Sequence, residues 1–411
     1  MLEGVNVALG VTGSIAAVRT VELAHELRRR GAEVRAVCTH ASTGIVNPWA
    51  LEFATGRDPV TEITGAVEHV ELCGRDGWAD VLLIAPATAN TIGKMAATID
   101  DSPVTTCATT ALGADVPVVV APAMHEPMYD HPGVPQAIGT LESWGVAFVD
   151  PRIEEGKAKI ATEDAIALAT ARAAFTDADE DTLRGESIVV TAGATAERVD
   201  PVRVLTNRSS GKMGRAVARA CYVRGANVTV VHGPVGPRPF SNSGANPKAD
   251  DTGVPYARLV EVDDSEAMLE ALEDAIADAD ALVAAAAVGD YTTPKHADKL
   301  RSGESRSLDL EPTPKLIDGA REAEPSLPIV GFKTETSGDD DAMVAAARAI
   351  MERADLDLVV ANDASVMGAD ETRALFVDSV EDVDGSPVSS VSGSKAAVGE
   401  RIADRVAALL A

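Results

Sequence analysis

Aromatic residues are scarce in this chain: Phe, Tyr and Trp make up 3% of 411 residues. Hydrophobic residues still reach 46%, so any interior must be built from Ala, Val, Leu and Ile. Cysteine is equally sparse. Cys38, Cys73, Cys107 and Cys221 are widely spaced and form no CxxC pair. That excludes a disulfide framework, argues against structural zinc and suits a reducing compartment. Long apolar runs are missing as well. Val116–Met124 and Ala279–Val288 fall far short of the ~20 residues that a membrane span needs. The N-terminus reads into a strand without a charged leader, so the expectation is a soluble, cytoplasmic protein with no membrane partner.

Positive charge is the last shortage. Lys and Arg total 36 against 64 Asp and Glu, a net charge of −28, and Lys is rarer than Arg. Such a surface repels nucleic-acid backbones, which excludes a nucleic-acid partner. It reads as salt-adapted, the surface of a halophile. A phosphate-bearing ligand would then depend on local devices, such as helix N-termini and a few placed cations.

What is present is a recurrent strand–helix alternation. In the front half, strands are expected at Val5–Gly10, Val34–Thr39, Val81–Ala85 and Val116–Ala121. Helices are expected at Ala16–Arg30, Ala89–Ala97, Pro103–Leu112 and Pro135–Gly145. The strands are continuously apolar rather than alternating, as in a parallel sheet covered on both faces. The acidic stretch Thr176–Glu186 reads as a linker, and the pattern then restarts. Strands follow at Ser187–Thr191, Asn227–His232, Ala281–Ala286, Ile329–Phe332 and Leu358–Ala361. Helices follow at Lys212–Arg224, Ser265–Ala277 and Asp339–Arg353, then a hairpin over Ala374–Val391 and a closing helix Lys395–Leu410. Gly236–Gly253 reads as a long surface loop. The fold class is α/β in two tandem domains, a flavodoxin-like doubly wound domain over 1–175 and a Rossmann-like domain over 187–411, joined by a linker at 176–186.

GVTGSIAA, residues 10–17, closes a strand and opens a helix, a turn that favours an anionic group but is common by itself. IAPATANTIGKMA (84–96) and APAMHEPMYDHP (121–132) place Pro86, Thr88, Asn90, Thr91 and Met124 beyond strand ends, where doubly wound sheets bind ligands. Together with His69 ahead of WADVLLIAPATANT, this set resembles the flavin-dependent decarboxylases of phosphopantothenoylcysteine. The resemblance covers about residues 4–172. It implies FMN bound between subunits by Gly13, Ser14, Thr39, Pro86, Thr88, Asn90, Thr91 and Met124, with His69 as catalytic base. A lone histidine at this spacing would ordinarily be a surface or capping residue. The chemistry nevertheless wants such a base: oxidation of the cysteinyl thiol gives a thioaldehyde, whose C=S accepts the electrons released as the carboxylate leaves. The chain departs from the family twice. His125 stands where an asparagine is usual, and PRIEEGKAKIAT (151–162) lacks the family's flap cysteine. Lys159 and Lys157 are the candidate replacement proton donors, with Cys73 second, because it would share the face of His69 on a helix.

TAGATAERVDPVRVLTNRSSGKMGRAVA (191–218) is a Gly-rich loop feeding a helix, without the spacing of a Walker loop. With AAAAVGDY (284–291), KHADKLRS (295–302), GFKTET (331–336) and ANDAS (361–365) it resembles phosphopantothenate–cysteine ligase over about residues 186–409. The resemblance implies an acyl-nucleotide route: CTP activates 4'-phosphopantothenate and the amine of cysteine displaces the nucleotide. Asn207 would contact the intermediate and Lys299 would hold the triphosphate. Ser209, Ser210, Gly211, Asp290, Phe332 and Lys333 would line the nucleotide site, with Asp290 also a ligand of Mg²⁺. The implied assembly is a homo-oligomer of trimeric decarboxylase and dimeric ligase domains, a dodecamer being one such arrangement. Two other readings compete. One is a flavin-binding regulatory protein with a degenerate ligase domain. The other, a nicotinamide oxidoreductase, is disfavoured because neither turn carries GxGxxG.

Overall fold

The structure, a computed structural model, describes residues 1–154, 157–175, 182–234, 254, 256–303, 305–335, 339–363, 371–379 and 388–411. The chain divides into two units, Met1–Thr176 and Asp177–Ala411. Most of the expected linker and the loop at 236–253 lie outside the described residues.

The front unit is built on a five-stranded parallel sheet. Its spatial order is Glu33–Cys38, Asn6–Val11, Val81–Ala87, Val118–Pro122, Ala147–Phe148. That is the doubly wound order 2-1-3-4-5, whose ligand crevice opens at the carboxyl ends of the first and third strands. All seven residues of Val81–Ala87 are buried, which is why the strand shows no polar alternation. The core on one side is built from small and aliphatic side chains, among them Leu82, Ile84, Val104, Ala108 and Val120.

Three expected boundaries move for local reasons. The helix expected at Ala16–Arg30 divides into a 3-10 turn, Ile15–Arg19, and an α-helix, Thr20–Arg29. Ser14 caps the turn, and the Ala17 N–H returns to the Ser14 carbonyl in a three-residue step. The strand expected from Val116 starts at Val118, since the Val116 N–H is taken by Ala111 and Pro117 has none to give. The helix expected from Pro135 begins at Gly133, leaving the proline in the first turn, where its missing N–H costs nothing. A further helix, Pro48–Thr55, is bounded by the Asn47 cap, Pro48 at its start and left-handed Gly56 at its end. Those three signals are all legible in the sequence.

The second unit carries an eight-stranded sheet. Arg258–Glu261, Asn227–His232, Ser187–Ala192, Ala281–Ala284, Ile329–Glu335 and Leu358–Asp363 run parallel in that spatial order. The antiparallel strands Glu371–Asp378 and Val388–Ser394 complete it. In chain order this is 3-2-1-4-5-6 extended by a hairpin, the Rossmann-type arrangement, whose switch point lies between Ser187–Ala192 and Ala281–Ala284. The helix Lys212–Val223 packs tightly on the first strand: a Cβ on Gly214 would stand 2.7 Å from that of Ala192. The closing helix Lys395–Leu410 carries Val398, Ile402 and Val406 into the same core.

Candidate active sites

In the front unit, three loops converge on the carboxyl edge of the sheet through hydrogen bonds. The buried Thr12 hydroxyl donates to the Pro86 carbonyl at 2.7 Å and accepts from the Thr88 N–H at 3.2 Å. The Ser14 hydroxyl donates to the Ala123 carbonyl at 3.0 Å. The GVTGS, APAT and PAMH motifs therefore form one crevice at the switch point. Thr88 caps the helix Ala89–Ala96 and meets Thr91 at 3.0 Å, while Asn90 is exposed beside them. Thr39 caps the short helix His40–Thr43 next to the loop, and the Thr39 N–H returns to Val11. Gly13 is required by packing, because a Cβ there would stand 2.6 Å from that of Ala41. Thr12, which ties the crevice together, was not singled out from the sequence, although it sits inside the motif.

His69 lies on a separate element, the short helix Glu68–Cys73, which follows left-handed Val67. Its Nδ1 is buried and has no hydrogen-bond partner. A buried polar atom without a partner is costly, so it marks a position built to meet something else. Cys73 ends the same helix, but its thiol is fully buried beside Cys107 in the core. The contact with Cys107 and burial both push that thiol far above its ordinary range, which removes it as a proton donor.

The segment lacking the flap cysteine forms part of a small antiparallel sheet. Lys157–Lys159 is its central strand, between Arg152–Glu154 and Met124–His125. His125 pairs with Lys157, Met124 with Ala158, and Arg152 with Lys159. Both departures from the family pattern, His125 and the lysine segment, are thus neighbours.

In the second unit, Asn207 spans the switch point. Its carboxamide nitrogen donates to the carbonyls of Ala287 and Val288 at 3.1 and 3.0 Å. Beside it, Thr195 accepts from the Gly289 N–H at 2.9 Å, and Thr191 accepts from the Ala286 N–H at 3.1 Å. The Gly-rich loop and the AAAAVGDY motif therefore share one wall. Ser209 accepts from the Gly211 N–H, and Gly211, with φ +66°, opens the helix Lys212–Val223. Arg215 reaches back from that helix to the Ser210 carbonyl at 3.1 Å. Phe332 and Lys333 lie toward the carboxyl end of Ile329–Glu335, in register with Val360 and Ala361. Of the ANDAS motif, Ala364 and Ser365 lie outside the described residues.

Asp290 is exposed, and the Lys315 ammonium donates to it at 2.7 Å. Among the described residues no group of three or more acidic, histidine or cysteine side chains is placed to hold a metal. Lys299 is exposed in a groove shared with Arg203, Asp298, Leu300, Arg301 and Ser302. Three cations on one groove stand out on a chain of net charge −28. Sequence reading missed Arg203 and Lys315, since neither falls at a motif position that implies an anion.

Residues 1–174 match the Flavoprotein family, and residues 183–410 match the DNA/pantothenate metabolism flavoprotein C-terminal domain. The class is thus a two-unit α/β flavoprotein of pantothenate metabolism. The chain is 46% identical over 382 residues to the coenzyme A biosynthesis bifunctional protein CoaBC of Thermococcus kodakarensis, covering 92% of this chain and 89% of that one. It is 32% identical over 413 residues to the Methanocaldococcus jannaschii protein of the same name, covering 100% of this chain and 95% of the relative. The Escherichia coli K12 counterpart is 33% identical over 384 residues, 89% of this chain and 87% of that one. The chain belongs to this family of bifunctional coenzyme A biosynthesis proteins.

Proposed function

We propose that the second unit joins cysteine to 4'-phosphopantothenate through an acyl-nucleotide formed from CTP, and that the front unit decarboxylates the product to 4'-phosphopantetheine. The domain division we assign is 1–175 and 187–411, with 176–186 as linker. The observation that carries the front-unit assignment is the buried, unpartnered Nδ1 of His69. An imidazole nitrogen kept from both water and protein suits a group that takes a proton from a bound substrate. The crevice around Thr12 would hold an FMN, and FMN bound there would take two electrons from the cysteinyl thiol and give them back once the carboxylate has left, so that the overall decarboxylation is redox-neutral. Gly13 and Ser14 would approach its phosphate, and Thr88, Asn90 and Met124 its ring. His69 would accept the thiol proton, and Lys159 or Lys157 would return one to carbon after the carboxylate has left.

In the second unit Asn207 would face the acyl-nucleotide, while Lys299 would neutralise the triphosphate. Magnesium would come with the nucleotide, as expected of an ion that prefers phosphate oxygens and keeps its waters. Asp290 would then meet that complex after parting from Lys315. Ile15, Trp49 and Phe53 are each more than 75% exposed in the front unit, which supports an oligomer that covers them. No helix among the described residues is long and apolar enough to cross a membrane.

The full chain, supplied with 4'-phosphopantothenate, cysteine and CTP, should form phosphopantothenoylcysteine and release pyrophosphate and CMP. Product mass measured with CTP and ATP separately tests this. Formation with ATP alone would overturn the nucleotide assignment, and a colourless protein without carbon dioxide release would overturn the flavin one.

A further inference from the structure

Asp200 carries a carboxylate whose side chain is fully buried in a loop. Burying such a charge is costly unless donors surround it. Here they do. One oxygen accepts from the N–H groups of Val202 and Arg203 at 2.8 and 2.9 Å, closing a local turn. The other accepts from the Arg203 guanidinium and, 100 residues along the chain, from the Leu300 N–H at 3.1 Å. Burial pushes the acid upward, but the N–H groups of Val202, Leu300 and Arg203 outweigh it and hold Asp200 down at about 2. It is therefore an anion at any working pH.

The partner of that carboxylate explains its use. Residues 293–303 form neither helix nor strand, and this stretch carries Lys299 and Arg301. A loop without secondary structure holds its side chains in place only through such links. Leu300 is gripped twice: its N–H by Asp200, and its carbonyl by the Arg203 guanidinium at 3.0 Å. The His296 N–H adds a third tie, to Val199, at 3.0 Å. The carboxylate thus ties Leu300, the residue after Lys299, to the loop that carries Arg203.

We propose that Asp200 is a positioning residue of the ligase, fixing the loop that presents Lys299 to the nucleotide phosphates. The proposal rests on the reading of Lys299 given above. A misplacement of about 1 Å in a group that binds a transferring substrate can cost up to ~10²-fold. The loss should fall on the nucleotide and not on the other two substrates.

The test uses the full chain, with pyrophosphate release as the assay. Asp200→Asn keeps an acceptor for the Val202 and Arg203 turn but turns an NH₂ toward Leu300, so it cuts the long-range link. Asp200→Ser also keeps a turn acceptor and is too short to reach Leu300. Both should raise the KM for CTP at least about tenfold, with kcat and the KM for cysteine changed less than about threefold. Decarboxylation of supplied phosphopantothenoylcysteine should not change. Lys299→Gln should raise the KM for CTP similarly. In that background Asp200→Asn should add less than about twofold, because both act on one contact. Additive effects, or an unchanged KM in either Asp200 variant that melts as the parent does, would overturn the proposal. Should Lys299→Gln leave the KM for CTP unchanged, the reading of the lysine falls first and the proposal with it.

Discussion

The Arg215 guanidinium stands 3.1 Å from Nε2 of His232, and because arginine only donates, the imidazole accepts there. Its other nitrogen, Nδ1, then carries the proton and donates to the Gly233 carbonyl. His232 is buried and neutral, and it orients the arginine that holds Ser210 in the Gly-rich loop. Burial lowers its pKa below the ordinary 6.5; the hydrogen bond to the Gly233 carbonyl opposes this in part, and the neighbouring Arg215 charge adds to the lowering.

That direction sets a pH dependence. When the folded pKa of a histidine is depressed, the unfolded chain binds the proton more readily below 6.5, so stability falls as the pH drops beneath that value. Thermal melts of the protein between pH 7.5 and 5 should show a decline that His232→Gln lessens. Identical pH slopes for the two proteins would show that His232 is not buried neutral.

Gly214 illustrates a contest of two magnitudes. Replacing a helical glycine by alanine gains up to about 1 kcal/mol of helix propensity. At Gly214 the new methyl would stand 2.7 Å from the Ala192 Cβ and 3.0 Å from the Thr191 carbonyl oxygen, both inflexible. Overpacking of this kind costs roughly 1–3 kcal/mol, so Gly214→Ala should lower the ligase melting transition by several degrees. Calorimetry that found a higher transition would show that the helix can shift away from the strand.

His69→Asn should lower decarboxylation by about 10²–10⁴-fold, the usual worth of a general base. Phosphopantothenoylcysteine should then accumulate at the parent rate, since the ligase residues lie in the other unit. Carbon dioxide release near the parent rate would assign the proton transfer elsewhere.

Salt should matter throughout. With a net charge of −28, self-repulsion opposes the compact state whenever it is unscreened. Melting temperatures should rise between ~0.1 M salt, where the Debye length is ~10 Å, and ~1 M, where it is ~3 Å. A flat profile would contradict the salt-adapted reading of the surface.

Much of the fold was legible because its causes are local. The strand expected at Val81–Ala85 shows in the sequence as a continuous apolar run, as in a sheet buried on both faces, and the structure extends it to Ala87. The helices expected at Ser265–Ala277 and Lys395–Leu410 form at Ser265–Ile276 and Lys395–Leu410, capped by Asp264 and Ser394. Thr88 is marked by its place after a strand, where such sheets bind, whereas Asn207 is marked by the resemblance of its Gly-rich loop to the ligases. By contrast, nothing in the run DPVR says that its aspartate will be buried and bonded to an N–H 100 residues away. The tautomer of His232, the lost candidacy of Cys73 and the pairing of Lys157 with His125 are of the same kind. The sequence alone determines which stretches become strands and helices, since periodicity acts over a few residues. Which of their residues are charged, neutral or in contact is decided by the tertiary structure, because burial and long-range partners set the cost of each proton and each charge.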